Sequence, residues 1–413
     1  MNSATLRLVL LVSSAHALVH VYELSLPSLE LEIAKDYAER RRASSAPQLS
    51  PAMKERMLED LAQGGKREMG LLSTTWRMPF GFGALLAGWL VDRWGPRRML
   101  LVYLVGGAAA CWAAGVEQRM ATLFVTMFLM GAFASIYHPA GLTLISTETK
   151  PEERARALGL HGIFGSAGIA SAPFLAALAL GAGASWRQFY LLLAAAGALL
   201  GLLLWHQWGR GRDLPKAPVD KAEDEADWPA FAVLIAATLL QGFVYAGVLS
   251  FLTRYLAAST WAGGQLPSAS LATALVLAMG CIGQYAAGRF ARIGRLERQL
   301  LQVTLANIPM LLWMSFAEGN QRILAAAAFS IVHFMHQPLY NSLVAIYTPV
   351  TKRSLCYGFS FAMSFGLGGL GATLVGFTPS ERLAYQLLAG VAAVSSVLCF
   401  TLWQLRRPGR PAR

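Results

Sequence analysis

Three titratable side chains near the start of the chain, His16, His20 and Glu23, are spaced by four and three residues. On a helix, steps of that size return to one side, so the three groups project within about 60° of one another. A carboxyl inside an apolar helix holds a proton that neighbouring imidazoles can relay or compete for, which is the chemistry an ion-coupled carrier needs. Glu23 is therefore the expected proton site, with His20 and His16 beside it. A second group could bind a solute. Arg77 interrupts an apolar run and would attract an anion, with Glu23 or Glu30 as the acids able to compensate its charge. Arg254 is a lesser candidate of the same kind. His333, His336, Gln337, Tyr340 and Asn341 form a polar stripe at helical spacing, and His138, Tyr22, Gln241 and Tyr245 add hydrogen-bonding groups elsewhere. For each lone histidine, a ring bonded to a nearby carbonyl is the alternative. His161 is a weaker candidate because it stands near the start of an apolar segment, and His206 is left out.

The elements that must position these groups follow from composition. The chain has 413 residues, 55% hydrophobic and 14% charged, with mean hydropathy +0.46, which excludes disordered and most soluble classes. A bilayer-spanning helix needs about 20 apolar residues. Twelve such spans can be placed, at 6–34, 70–91, 99–116, 120–146, 157–180, 185–208, 229–256, 268–290, 299–317, 321–347, 354–377 and 380–405. The expected fold class is thus an all-α membrane protein. With the N-terminus inside, 21 Lys and Arg fall on the inner side and 13 on the outer, 8 of the latter in a single insert. That asymmetry predicts cytoplasmic termini and accounts for the net charge of +12 without nucleic acid. The N-terminal run reads as a retained first span, not a cleaved signal. Cys111, Cys281, Cys356 and Cys399 have no CxxC spacing, and there is no GxxxxGK[ST] loop, so neither a disulfide framework nor ATP hydrolysis is signalled.

Two polar segments interrupt the spans. The insert 35–69, with Arg40-Arg41-Arg42, is expected outside the cytoplasm, and Ser50-Pro51 is placed to start a short amphipathic helix bearing Met53, Met57 and Leu61. Residues 209–228 read as a cytoplasmic linker between an N-terminal half, 1–208, and a C-terminal half, 229–413. An internal repeat supports two halves: Gly83-x4-Gly88 recurs as Gly283-x4-Gly288, Pro139 as Pro338 and Gly159 as Gly358, at offsets of 200 and 199. Parallel six-span repeats place a solute site between the halves near the midplane.

Residues 88–100 read Gly88-Trp-Leu-Val-Asp92-Arg93-Trp-Gly95-Pro-Arg97-Arg98-Met-Leu100 and resemble the signature of the major facilitator superfamily. The resemblance implies twelve transmembrane helices in two pseudo-symmetric six-helix halves, the major facilitator fold. It makes Gly88, Asp92, Arg93, Gly95, Arg97 and Arg98 gating residues, Gly88 for close helix contact and Gly95 for a tight turn. In the second half the motif is degenerate, with Arg292 in place of the acid and Gly294 one residue early. Gly168-x3-Ala172-Pro173 looks like the antiporter motif of that superfamily, with alanine at three small positions, and leans towards export. Met127 stands where drug antiporters carry an arginine. A closer resemblance, through His16-x10-Pro27, Tyr22 and Tyr137-His138-Pro139-Ala140-Gly141, is to the fosmidomycin-resistance branch, although His20 replaces an expected aspartate.

These readings predict a secondary transporter in the bacterial inner membrane, not an enzyme, with no cofactor. It is expected to act as a monomer and to export a small organic solute by alternating access, coupled to protons. The alternatives are proton symport or facilitated uptake of a small organic anion, and a metal-binding carrier or sensor using His16, His20, Glu23 and the His333-x2-His336 pair. No metal ligand is assigned from the sequence.

Overall fold

A computed structural model describes residues 3–44, 51–208, 226–261, 264–265, 268–349 and 352–406. The expected linker falls almost wholly outside them. Among the described residues the chain is helical apart from a two-residue pairing of Thr260–Trp261 with Gly264–Gln265. Eleven helical segments are long and apolar enough to cross a bilayer. The second expected span is not among them, because Arg77 and Pro79 dilute its hydropathy. It lies instead inside a 44-residue helix, α2 (Pro51–Trp94), which completes the twelve crossings. An even number of crossings leaves the start of the first helix, at Ser3, and the end of the last, at Leu405, on one face of the bundle, called the terminal face below.

The N-terminal half holds α1 (Ser3–Ser44), α2, α3 (Pro96–Val116), α4 (Met120–Ala134), α5 (Tyr137–Glu148), α6 (Pro151–Gly181) and α7 (Trp186–Trp208). The C-terminal half holds α8 (Trp228–Ala257), α9 (Ala269–Phe290), α10 (Leu296–Phe316), α11 (Gln321–Phe334), α12 (His336–Tyr347), α13 (Arg353–Phe361), α14 (Leu370–Phe377) and α15 (Glu381–Leu405). Helix starts are marked by the expected residues. Pro51, Pro96 and Pro151 each open a helix, where a missing N–H costs nothing. Asp227, Ser268 and Ser380 cap α8, α9 and α15 by accepting from a backbone N–H three residues on.

The insert differs from its sequence reading. It is built by α1 running on to Ser44 and α2 starting at Pro51, so the expected short helix is the first part of a spanning one. The side chains of Met53, Met57 and Leu61 lie outside the described residues.

The repeat becomes geometry. Spans four and ten are each broken, between α4 and α5 and between α11 and α12, and each restarts two residues ahead of its proline, at Tyr137 before Pro139 and at His336 before Pro338. A proline cannot donate to the preceding turn and its ring crowds the carbonyl four residues back, so the helix restarts there. Gly95 (φ 86, ψ 150) and Gly294 (φ 83) make the matching turns after spans two and eight, in backbone conformations that suit glycine. Gly83 packs so closely on Ser135 that a Cβ would overlap it, and Gly283 packs in the same way on Ile331. Gly88 and Gly288 face open space in both halves. The close-contact role expected of Gly88 thus belongs to Gly83, one and a half turns earlier.

Span eleven contains the one π-helical segment among the described residues, Ala362–Leu367, between α13 and α14. Its wide turn brings Gly366 against Gly81 of α2, and Gly368 and Gly371 against the backbone of α8. Without side chains at Gly81 and Gly366 the two halves approach to backbone contact, and Gly368 and Gly371 let span eleven pack as closely on α8 within the C-terminal half.

Candidate functional site

The α1 face predicted from spacing points to the seam between the halves. Glu23, 3% exposed, is held on both oxygens: Oε1 accepts from Nη1 of Arg77 (2.9 Å) and from the Tyr245 hydroxyl (3.0 Å), and Oε2 lies 2.9 Å from Nδ1 of His20. Arg77 and Glu23 belong to the N-terminal half and Tyr245 to α8, so one carboxylate ties three helices and both halves together. The guanidinium also sits over the Tyr245 ring, 5.2 Å from its centroid. Two of its nitrogens, Nε and Nη2, are buried with no hydrogen-bond partner among the described residues. A buried cation this incompletely satisfied is costly.

Next to this pair lies a cluster of four histidines. His16 stacks on His161 at 4.0 Å between ring centroids, and its Nδ1 is 2.8 Å from the His161 carbonyl oxygen. His20 and His138 lie 5.0 and 5.3 Å from His16, ring to ring. His138 and Tyr137 are delivered by the break before Pro139, and the Tyr137 hydroxyl donates to the Val12 carbonyl (2.7 Å). The close fit of α6 depends on Gly165, where a Cβ would overlap the His16 ring, and on Gly168, where it would overlap the Ala17 backbone. Helix packing therefore explains the Gly168 of the antiporter-like motif. Phe80, Phe361 and Phe365 wall the cluster on the side of α2 and span eleven.

Of the predicted site residues, His16, His20, Glu23, Arg77, His138 and Tyr245 meet in this region. His333 reaches its edge by stacking on Tyr245 (6.0 Å) and Phe329 (4.9 Å). The others do not join it. Tyr22 turns the opposite way, into α3 and α7, where it fills the space at Gly107 and Gly197 and its hydroxyl donates to the Leu193 carbonyl (3.4 Å). One residue before Glu23 is about 100° around the helix, which separates the two. Gln241 bonds Asn307 inside the C-terminal half (3.4 Å), and His336 stacks on Tyr340 there (5.7 Å). Asn341 uses its backbone carbonyl to accept from Tyr357 (2.8 Å). Gln337 accepts from Gln284 (2.8 Å), which in turn accepts from Ser166 of α6, a separate polar bridge between the halves. His161 was undervalued in the sequence because only folding brings it across 145 residues to His16.

Towards the face opposite the termini the halves are joined repeatedly. Arg254 pairs with Glu30, Ser73 and Ser250 share a hydrogen bond of 2.6 Å, Thr74 bonds Thr373 (2.7 Å), and Lys66 donates to the Thr378 carbonyl (3.0 Å). Glu30 is thus taken by Arg254, leaving Glu23 as the partner of Arg77. On the terminal face the motif residues act within each half. Arg97 at the start of α3 pairs with Glu148 at the end of α5 (2.6 Å), and its guanidinium lies over Trp208 (5.9 Å). Arg93 packs over Trp89 (5.6 Å). In the C-terminal half Tyr347, 199 residues after Glu148, donates to Glu297 at the start of α10 (2.6 Å). The contact recurs with the acid on the other partner. Asp92 and Arg98 flank this turn on α2 and α3.

Twelve crossings in two repeated halves, with buried charge at their seam, define a membrane transporter, and known proteins agree. The model of the Major Facilitator Superfamily matches residues 43–373. The chain belongs to that superfamily, whose members here are transporters and not enzymes. It is 37% identical over 131 residues to the puromycin resistance protein of Streptomyces alboniger, covering 32% of this chain and 26% of that one. It is 27% identical over 197 residues to a probable actinorhodin transporter of Streptomyces coelicolor, covering 42% and 34%. The matched stretches thus span about a quarter to a third of these relatives. Among solved structures, a bacterial homologue of the human lysosomal transporter Spinster, inward-facing and occupied, superposes over 100% of both chains at a TM-score of 0.76 and 14% identity.

Proposed function

We propose that the chain exports a small organic solute across the bacterial inner membrane by alternating access, in exchange for protons carried by Glu23 with His20 and His16. The observation that carries this reading is the double use of Glu23: the carboxylate that compensates Arg77 also accepts from Tyr245 of the other half. Opening the face opposite the termini must break that contact together with the Arg254–Glu30, Ser73–Ser250 and Thr74–Thr373 links. Protonating Glu23 removes the charge that holds Arg77, and so couples proton occupancy to separation of the halves. Arg77, once released, offers its guanidinium to the solute, with His138 and the Phe80, Phe361 and Phe365 wall beside it. The drug-resistance and antibiotic-transporter relatives lend support to export. In this reading the halves divide at 208 and 229, the chain works as a monomer, and both termini face the cytoplasm, the side favoured by the basic residues. Closer kinship to the fosmidomycin-resistance branch rests on His16, Pro27 and Tyr137–Gly141.

A second reading, symport or facilitated uptake of a small organic anion, is favoured by one observation, the two unpartnered donors of the buried Arg77. Quenching of a pH probe in energised inverted membrane vesicles separates the two. For export, a solute from a panel including fosmidomycin dissipates the gradient in wild type and not in Glu23→Gln. No response to any solute, from protein verified as folded, refutes proton-coupled export of that panel.

A further inference from the structure

We propose that His16, His20 and His138 form a binding site for one divalent transition-metal ion. The site goes beyond the transport reading and does not depend on it. One nitrogen from each ring lies within 4.8 Å of the others. Two of the rings also have an outer partner of the kind that metal-bound histidines use. Nδ1 of His16 faces the His161 carbonyl oxygen at 2.8 Å, and Nδ1 of His20 faces Oε2 of Glu23 at 2.9 Å. A ring that gives its Nδ1 hydrogen to a carbonyl or carboxylate keeps the lone pair of Nε2 for an ion, and such outer partners fix its angle and raise its basicity. Nε2 of His138 is buried without a hydrogen-bond partner among the described residues.

The ligand chemistry selects the ion. Three imidazoles suit Zn²⁺, Co²⁺ or Ni²⁺, whereas Mg²⁺ and Ca²⁺ prefer oxygen. Two imidazole nitrogens on one tetrahedral ion, each at about 2.0–2.1 Å, stand about 3.4 Å apart. The widest pair here must therefore close by up to about 1.4 Å, a movement within reach of side-chain rotation. Glu23 places a negative charge one hydrogen bond from the ion, and the fourth position is left for water or an anionic group. The ligand set differs from that suggested by sequence: His333 and His336 pack against Tyr245 and Tyr340 in the other half, and His138 takes their place.

The test is calorimetric titration of tag-free, full-length protein in detergent with ZnCl₂ and CoCl₂, with MgCl₂ as control. One Zn²⁺ or Co²⁺ per chain is expected, and no Mg²⁺. His138→Gln, and the double variant His16→Gln/His20→Gln, should weaken binding by at least about 100-fold, while His333→Gln/His336→Gln keeps wild-type affinity. X-ray absorption of the Zn²⁺-loaded wild type should show three imidazole nitrogens, a measurement that needs no variant and stands if the substituted proteins do not fold. Absence of saturable binding, fewer than three imidazoles, or full affinity in His138→Gln overturns the site, as does loss of binding in the His333/His336 variant. Binding is read without transport, so failure of the vesicle assay leaves this result untouched.

Discussion

Replacing Arg77 by glutamine should destabilise the protein far more than replacing both members of its ion pair. The Arg77 and Glu23 side chains are 1% and 0% exposed and meet at 2.9 Å. With Arg77 gone, the Glu23 carboxylate keeps the Tyr245 hydroxyl and His20 but no permanent cation, and breaking a buried pair in this way costs about 3–5 kcal/mol. Glu23→Gln strands the guanidinium instead, with Nε and Nη2 already unpartnered, and should cost a similar amount. In the double variant neither charge remains, and two neutral amides can bond each other, Tyr245 and His20. Most of the loss should return, because a buried ion pair contributes little beyond its neutral replacement. Because the double variant should lose less than either single one, the coupling between the two substitutions should exceed the cost of one of them, about 3–5 kcal/mol, which is above the usual range for residues in contact. The assay is equilibrium unfolding of the four proteins in mixed micelles, with retained monodisperse size as the criterion of folding. If Arg77→Gln unfolds at the wild-type midpoint, or if the double variant shows the sum of the two single losses, the pair does not compensate buried charge as described.

A cysteine pair at Ser73 and Ser250, whose oxygens are 2.6 Å apart, should cross-link under mild oxidation in a background lacking Cys281. The cross-linked protein should stop transporting until reduced, whereas transport by the cross-linked form would show that this face need not open. Gly95→Ala should cost about 1–3 kcal/mol, because φ 86 with ψ 150 is a conformation that essentially only glycine adopts; thermal unfolding at the wild-type temperature would contradict the turn geometry. Tyr347→Phe removes a hydrogen bond to Glu297 and should cost about 1.5–3 kcal/mol. Glu297→Gln combined with it should add less than its effect alone, and simple additivity in unfolding measurements would refute the direct contact.

Much of the architecture was legible in the sequence. The spans lie close to their expected positions, Gly95 makes the expected turn, and the repeat found at offsets of 199 and 200 reappears in the paired breaks before Pro139 and Pro338. The exceptions have local causes. The insert looked like a loop because its charges hide helical extensions of α1 and α2, and Gly88 looked like a packing glycine when Gly83 does that work.

The candidate site was legible only in part. The sequence by itself determined the helices and the shared face of His16, His20 and Glu23, because in a bilayer every backbone hydrogen bond must be satisfied locally and a helix fixes the angle between near neighbours. It could not determine which helix that face meets. Glu23 finds Arg77 across 54 residues and Tyr245 across 222, while Tyr22, its immediate neighbour, is turned into α3 and α7. Those partners depend on the rotation of each helix about its axis and on the glycines that let helices approach. Both are set by packing between distant segments, which is why only the tertiary structure decided them.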